Sequence, residues 1–256
     1  MNISFYTASV GAQQQQDRLD VHANNIANIN NYGFRAKIPS FSQLMTGPVV
    51  GIEDDLARGV GSRMEEAQTD FNPAGLWATE RKLDYAIEGS GFFALLNPTT
   101  GEVSYTRDGS FTLSELVVME EEEVVVVNDE GNYVNEMQEK QVSHWYLSDG
   151  MGRFVLGADG RRIEVFDQDA EQPIGVFDFI NHDGMLSLGD NRIIPVEKNG
   201  SVGLGSGKVI QGALERSNAD LADQFAKVIE SQRSFQYMLK MITTSDEIET
   251  TVNGLR

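Results

Sequence analysis

The chain has 256 residues, is 40% hydrophobic, contains no cysteine and carries a formal net charge of −19. Such a length can bury a substantial core, as one large domain or two smaller ones. The charge argues against nucleic acid and anionic lipid as partners, since both demand an excess of Lys and Arg, and without cysteine there is no disulfide, thiolate metal site or thiol nucleophile.

The opening stretch, "MNISFYTASVGAQQQQ", lacks the basic and continuous apolar regions of a secretory signal. It reads instead as the start of a helix covering residues 3 to about 30. Phe5, Ala12, Leu19 and Ile26 recur every seven residues, with Ile3, Tyr6 and Val10 as a neighbouring stripe. Gly33 tolerates the left-handed conformation and is a natural stop. The last turns are rich in asparagine, at Asn24, Asn25, Asn28, Asn30 and Asn31. Asparagine competes for backbone hydrogen bonds and is a mediocre helix former, so a cluster of them asks for a reason.

Residues 37–82 are expected to form an extended or irregular connection. From 83 to 208 the pattern changes to short β-type runs, such as "LDYAIEGSGFFALL", "EVSYTRDGSFTL", "RRIEVFD" and "IGVFDFI". Turn signals including "DG", "GDN" and "NPTTG" separate them, which predicts an antiparallel β-rich domain. Within it, residues 117–143 carry four consecutive Glu followed by four consecutive Val. Consecutive carboxylates on a strand alternate faces and do not converge on a cation, so the expectation is an exposed hairpin. The longest apolar runs, "FFALL" and "VVVV", fall far short of the ~20 residues of a membrane span.

Residues 209–256 form the second helical end. Between 213 and 253 there is neither Gly nor Pro. Leu221, Phe225, Val228, Phe235, Leu239 and Ile242 follow alternating steps of four and three, with Gln232 in the single gap. That is the seam of a helix that packs against other helices, and Ser217 and Asp220 resemble a capping box ahead of it. Two helical ends therefore bracket a β middle, and they must either fold back together or pair with other chains.

Catalytic and binding motifs are missing. His22, His144 and His182 stand singly, without a partner at metal-ligand spacing, and read as surface or capping residues. "NGSVGLGSGKV" has Val202 and Val209 where a phosphate-binding loop needs Gly and Ser or Thr. "LGSGK" is not a nucleophile elbow. The expectation is a protein that is not an enzyme and needs no cofactor or metal.

Four segments in order resemble the bacterial flagellar basal-body rod proteins: "QQQQDRLDVHANNIANINNYGFR" at the N-terminus, "LDYAIEGSGFFAL", "YTRDGSFTL", and "GALERSNADLADQFAKVIESQRSFQ" at the C-terminus. Arg18, Leu19, Asp20, Ala23, Asn24, Asn25, Ala27, Asn28, Gly33 and Phe34 fall on the N-terminal signature. The resemblance implies an α+β chain whose long N- and C-terminal helices pair as a coiled coil around a β-rich central domain. It implies a structural subunit that polymerises with itself into a hollow axial tube linking motor to hook. The other rod and hook proteins and the export apparatus would be its partners, with no nucleic acid and no membrane insertion. The implied location is the flagellar basal body, reached without a cleavable signal. The assembly interface expected from seam and signature comprises Phe5, Ala12, Leu19, Asn24, Asn25, Ile26, Asn28, Leu221, Phe225, Val228, Gln232, Phe235, Leu239 and Ile242. In it the amides of Asn24, Asn25 and Asn28 would bridge neighbouring subunits and fix their register. The insert at 117–143 departs from the family pattern. The alternative is a secreted β-domain adhesion module that uses its helical ends only to oligomerise.

Overall fold

A computed structural model describes residues 3–46, 58–127, 133–168 and 170–255. The chain divides into two compact units, one of residues 1–75 with 216–256 and one of residues 76–215.

The first unit is built on two long helices, α1 (Ile3–Ala27) and α2 (Leu221–Gly254). Helix α1 ends where the asparagines begin to dominate, and the chain leaves through turns that finish at Gly33, whose φ is +65°. Helix α2 starts at Asp220, whose side chain accepts the Asp223 N–H. The cap is therefore Asp220 and not Ser217, whose hydroxyl accepts the Ala219 N–H instead. The connection after α1 is more regular than expected. Strands β1 (Lys37–Ile38), β2 (Phe41–Thr46), β3 (Arg58–Met64) and β4 (Gln68–Thr69) form two antiparallel pairs, β1 with β4 and β2 with β3. Strand β3 lies on α1. A Cβ on Gly61 would touch Val10 at 3.3 Å, and the buried Gln14 side chain accepts the Met64 N–H. Asn218 ties the unit's segments together, accepting from the Ala36 N–H (2.7 Å) and donating to the Asp70 carbonyl (2.9 Å).

The second unit is β-rich and antiparallel, as its turn spacing predicts. Its strands are β5 (Leu76–Ala78), β6 (Tyr85–Glu88), β7 (Phe93–Leu96), β8 (Val103–Thr106), β9 (Thr112–Val127), β10 (Tyr133–Ser148), β11 (Phe154–Val155), β12 (Phe177–Phe179), β13 (Leu186–Gly189), β14 (Arg192–Ile194), β15 (Val202–Leu204), β16 (Lys208–Gln211) and β17 (Ala213–Glu215). Seven of them make one sheet in the order β13-β14-β8-β7-β11-β10-β9. The core gathers Tyr85, Phe93, Leu95, Phe111, Leu147 and Val155, all fully buried. Each such side chain contributes roughly 1.5–3 kcal/mol. Gly109 is required here, because a Cβ would lie 1.7 Å from the Tyr85 carbonyl oxygen. Between β13 and β14, Asp190 and Asn191 both take positive φ, as a two-residue hairpin turn demands. A buried ion pair, Arg107 with Glu215 at 3.0 Å, joins β17 to the loop after β8, and Arg107 also donates to the carbonyls of Ile87 and Gly89.

The acidic insert belongs to β9 and β10, sixteen residues each, paired in continuous register from Thr112↔Ser148 to Val127↔Tyr133. Its centre, residues 128–132, lies outside the described residues.

Candidate assembly surface on the terminal helices

Helices α1 and α2 pack against each other, and their contacts fix the direction. Gly11 faces Met238, Arg18 reaches Glu230 (3.8 Å), and His22 and Asn25 both meet Gln224. Partner numbers fall along α2 as they rise along α1, so the two helices run antiparallel.

The residues hidden between them are not those the apolar spacing singles out. On α1 the buried positions are Ala8, Ala12, His22 and Asn25, besides Gln14, which turns to β3, and on α2 they are Gln224, Ser231 and Ser245, with Met238 half-buried between the last two. The α2 positions are seven apart, so the heptad exists, but small and polar side chains occupy it. The expected seam is turned by about one position. Leu221 (46% exposed), Phe225 (49%), Leu239 and Gln232 face outward, while Val228, Phe235 and Ile242 are half-buried. On α1, Ala12 does face α2, Leu19 and Ile26 are half-buried and Phe5 is exposed. The physical reason is steric. Gly11 leaves room on α1 for the Met238 side chain, which a Cβ there would meet at 3.2 Å, and the other α2 positions turned inward, Gln224, Ser231 and Ser245, are small or polar.

The asparagine cluster divides in the same way. Asn25 is fully buried. Its Oδ1 accepts the Lys37 N–H (2.8 Å), and its Nδ2 donates to the Lys37 carbonyl (2.8 Å) and to Gln224 Oε1 (3.1 Å). The amide thus locks α1 to β1 and α2 of its own chain. Asn24 is exposed, and the Asn28 amide donates to the Asn24 carbonyl (2.9 Å) and accepts from Asn31 (2.7 Å), holding the turns that end the helix.

Gln224 Oε1 also receives His22 Nδ1 at 2.9 Å. Because that oxygen can only accept, His22 Nδ1 carries the proton and Nε2 presents a bare lone pair. His22 is buried, not a surface residue, and burial chiefly, with Arg18 and Lys227 nearby, holds its pKa below the ordinary value of 6.5 against the opposing bond to Gln224 and the charge of Asp223. His22 Nε2, Gln15 Oε1, Arg18 Nε and Ser231 Oγ are buried without a hydrogen bond. A buried polar atom left without a partner costs about 1–3 kcal/mol. No apolar pattern could reveal this contact. The clue available in the sequence was a heptad of small and polar residues at 224, 231 and 245.

Beside Gln224 the surface opens into a cleft of about 360 Å³. The end of α1, residues 36–41 and the first turns of α2 enclose it, and its lining includes Arg18, His22, Lys37, Ile38, Phe41 and Lys227. Among the described residues no group of three or more His, Asp or Glu side chains could hold a metal, and no helix is long and apolar enough to cross a membrane.

Three family models match the chain in order. Residues 5–35 match "Flagella basal body rod protein", residues 86–170 "Flagellar hook protein FlgE/F/G D1 domain" and residues 210–255 "Flagellar basal body rod FlgEFG protein C-terminal". The chain is 32% identical to the flagellar basal-body rod protein FlgG of Bacillus subtilis, covering 96% of both chains. The chain belongs to the flagellar basal-body rod protein family. It is also 28% identical to FlgG of Borreliella burgdorferi, over 99% of this chain and 98% of that one. A third relative, the flagellar hook-basal body complex protein FlhP of Bacillus subtilis, is 26% identical over 99% of each chain. Membership makes the chain a structural rod subunit of the flagellar basal body, and similarity over the whole length leaves the adhesion reading without support. The two outer matches fall on α1 and α2, so the family signature and the candidate assembly surface coincide.

Proposed function

We propose that the chain polymerises with itself through α1 and α2 into a hollow axial tube that links the motor to the hook. The observation that carries this reading is the inversion of the helix pair. Small and polar residues are hidden between α1 and α2, while Phe5, Tyr6, Leu221, Phe225, Ile229 and Leu239 are left exposed. Apolar stripes at helical spacing that find no cover within their own chain are surfaces for other helices. In the polymer the two helices belong to a coiled-coil layer in which each meets neighbours on more than one face. Asn24, Asn28 and Gln232, exposed or half-exposed in one chain, are the polar positions left to set register there. The work is geometry and burial, with no catalysis, no cofactor and no nucleic acid. Other rod and hook proteins abut the polymer at its ends, and the flagellar export apparatus delivers the chain.

The test replaces Phe225 and Leu239 with Glu. Both are exposed in one chain, so the isolated variant should keep its fold within about 0.5 kcal/mol. Hook–basal bodies from cells carrying it should lack the rod segment that wild-type cells build, and peptide mass spectrometry should find the wild-type chain in those particles. Normal rods containing the double variant would refute the reading.

A further inference from the structure

We propose that the protruding end of α2 is a plug that seats in the cleft at the opposite end of the helix pair of a second copy, so that chains stack head to tail. The inference rests on the polymer reading above and names the contact that propagates it.

The two helices are unequal, 25 residues against 34. With Gly11 opposite Met238 and running antiparallel, Ile3 lies opposite residue 246 or so. The last eight residues of α2, 247–254, therefore extend past the start of α1, by about 12 Å at 1.5 Å per residue. Burial records the same event. Positions 224, 231, 238 and 245 turn toward α1, and the next in the series, Val252, is 58% exposed because α1 has ended. Ile248 and Leu255 are exposed beside it, on the same stripe at steps of four and three. The heptad thus continues with apolar side chains past the point where its own chain can cover them.

The cleft lies at the other end of the same pair, where α1 finishes and α2 begins. It offers apolar cover in Ile38, Pro39 and Phe41, the first and last of which are exposed. One charge of the cleft complements the plug. Asp246, Glu247 and Glu249 flank the protruding stripe, and Lys37 lines the cleft. The other cations there are paired already, Lys227 with Asp223 at 2.6 Å and Arg18 with Glu230 at 3.8 Å. The remaining acids, Asp220 and Asp70, accept the Asp223 and Asn72 N–H groups. Among the described residues Lys37 has no ion-pair partner. Plug and socket at opposite ends of one element make a heterologous contact, the kind that extends into an open strand of subunits when its rotation does not close a ring.

The chain has no cysteine, so introduced pairs report the contact directly. Cells would carry the full chain with Ile38→Cys combined in turn with Ile248→Cys, Val252→Cys or Leu255→Cys, and hook–basal bodies would be oxidised and run without reductant. The expected result is a ladder at multiples of 28.3 kDa in at least one double variant, lost on reduction and missing from every single variant. Particles that contain the chain but give no ladder in any double variant overturn the stacking and leave the rod reading standing. Cross-links to a different protein overturn it in the same way. Particles that never contain the chain take down both. A variant with Ile248→Glu and Val252→Glu should keep the hydrogen-exchange protection of α1 and α2 and lose incorporation at least tenfold, and wild-type incorporation would also overturn the plug.

Discussion

Replacing Asn25 with Ala separates the two roles that asparagine plays at the end of α1. The change removes the acceptor of the Lys37 N–H, the donor to the Lys37 carbonyl and the donor to Gln224 Oε1. At about 1 kcal/mol net per intramolecular hydrogen bond, the three together are worth ~3 kcal/mol, before any cost for the space vacated at a fully buried site. That is a large share of the 5–15 kcal/mol that holds a typical domain, and at 1.4 kcal/mol per decade it is a factor of roughly 100. Native-state hydrogen exchange on the intact chain resolves it, because the two units report separately. Amides in the middle of α1 and in the first half of α2 should exchange about 100-fold faster in the variant, and those of β7 and β8 should be unchanged. Asn24→Ala is the control. Its side chain is exposed, so its cost should stay within about 0.5 kcal/mol. Equal exchange rates in the two variants would show that the buried amide does not hold the helix pair, and the argument from hydrogen bonds would fail.

Acidification should loosen the same contact. His22 has a folded pKa below its ordinary 6.5, so the unfolded chain takes up the proton first. The stability it confers is complete above that value and is lost as pH falls below it. Helix melting followed by circular dichroism should move to lower temperature between about pH 7.5 and pH 5.5, and His22→Gln should flatten the dependence. In the β-rich unit, Gly109→Ala forces a methyl against the Tyr85 carbonyl. Backbone cannot yield there, so the unit's thermal transition should fall by an amount corresponding to at least 1–3 kcal/mol. Glu215→Gln removes the carboxylate charge paired with the buried Arg107 guanidinium and should cost about 3–5 kcal/mol in urea unfolding. A change below about 1 kcal/mol would show that the Ile87 and Gly89 carbonyls suffice to hold the guanidinium.

Much of the fold was legible in the sequence. Helix α2 follows from a long run without Gly or Pro, and the antiparallel strands follow from short β-type runs cut by turn residues, among them Asp190 and Asn191. Each of these signals is local. The short strands at 37–38, 41–46, 58–64 and 68–69 were not legible, because each is defined by its pairing and not by its own composition. The boundary of the β-rich unit falls at 215 for the same reason. β16 pairs with β6 and β17 with β5, partners more than a hundred residues away.

The sequence by itself determined that helices of this length and periodicity would exist at both ends, and that their apolar stripes would need cover. Only the tertiary structure decided which face of each helix meets the other. Hydrophobic spacing identifies the stripe that most needs to leave water. Which face goes inside one chain depends on how closely two backbones can approach. Gly11 makes room for Met238, and small or polar Ser231 and Ser245 share its face of α2, whereas Phe225 and Leu239 lie on the face turned away. The small face therefore closes within the chain, and the apolar face is left for its neighbours.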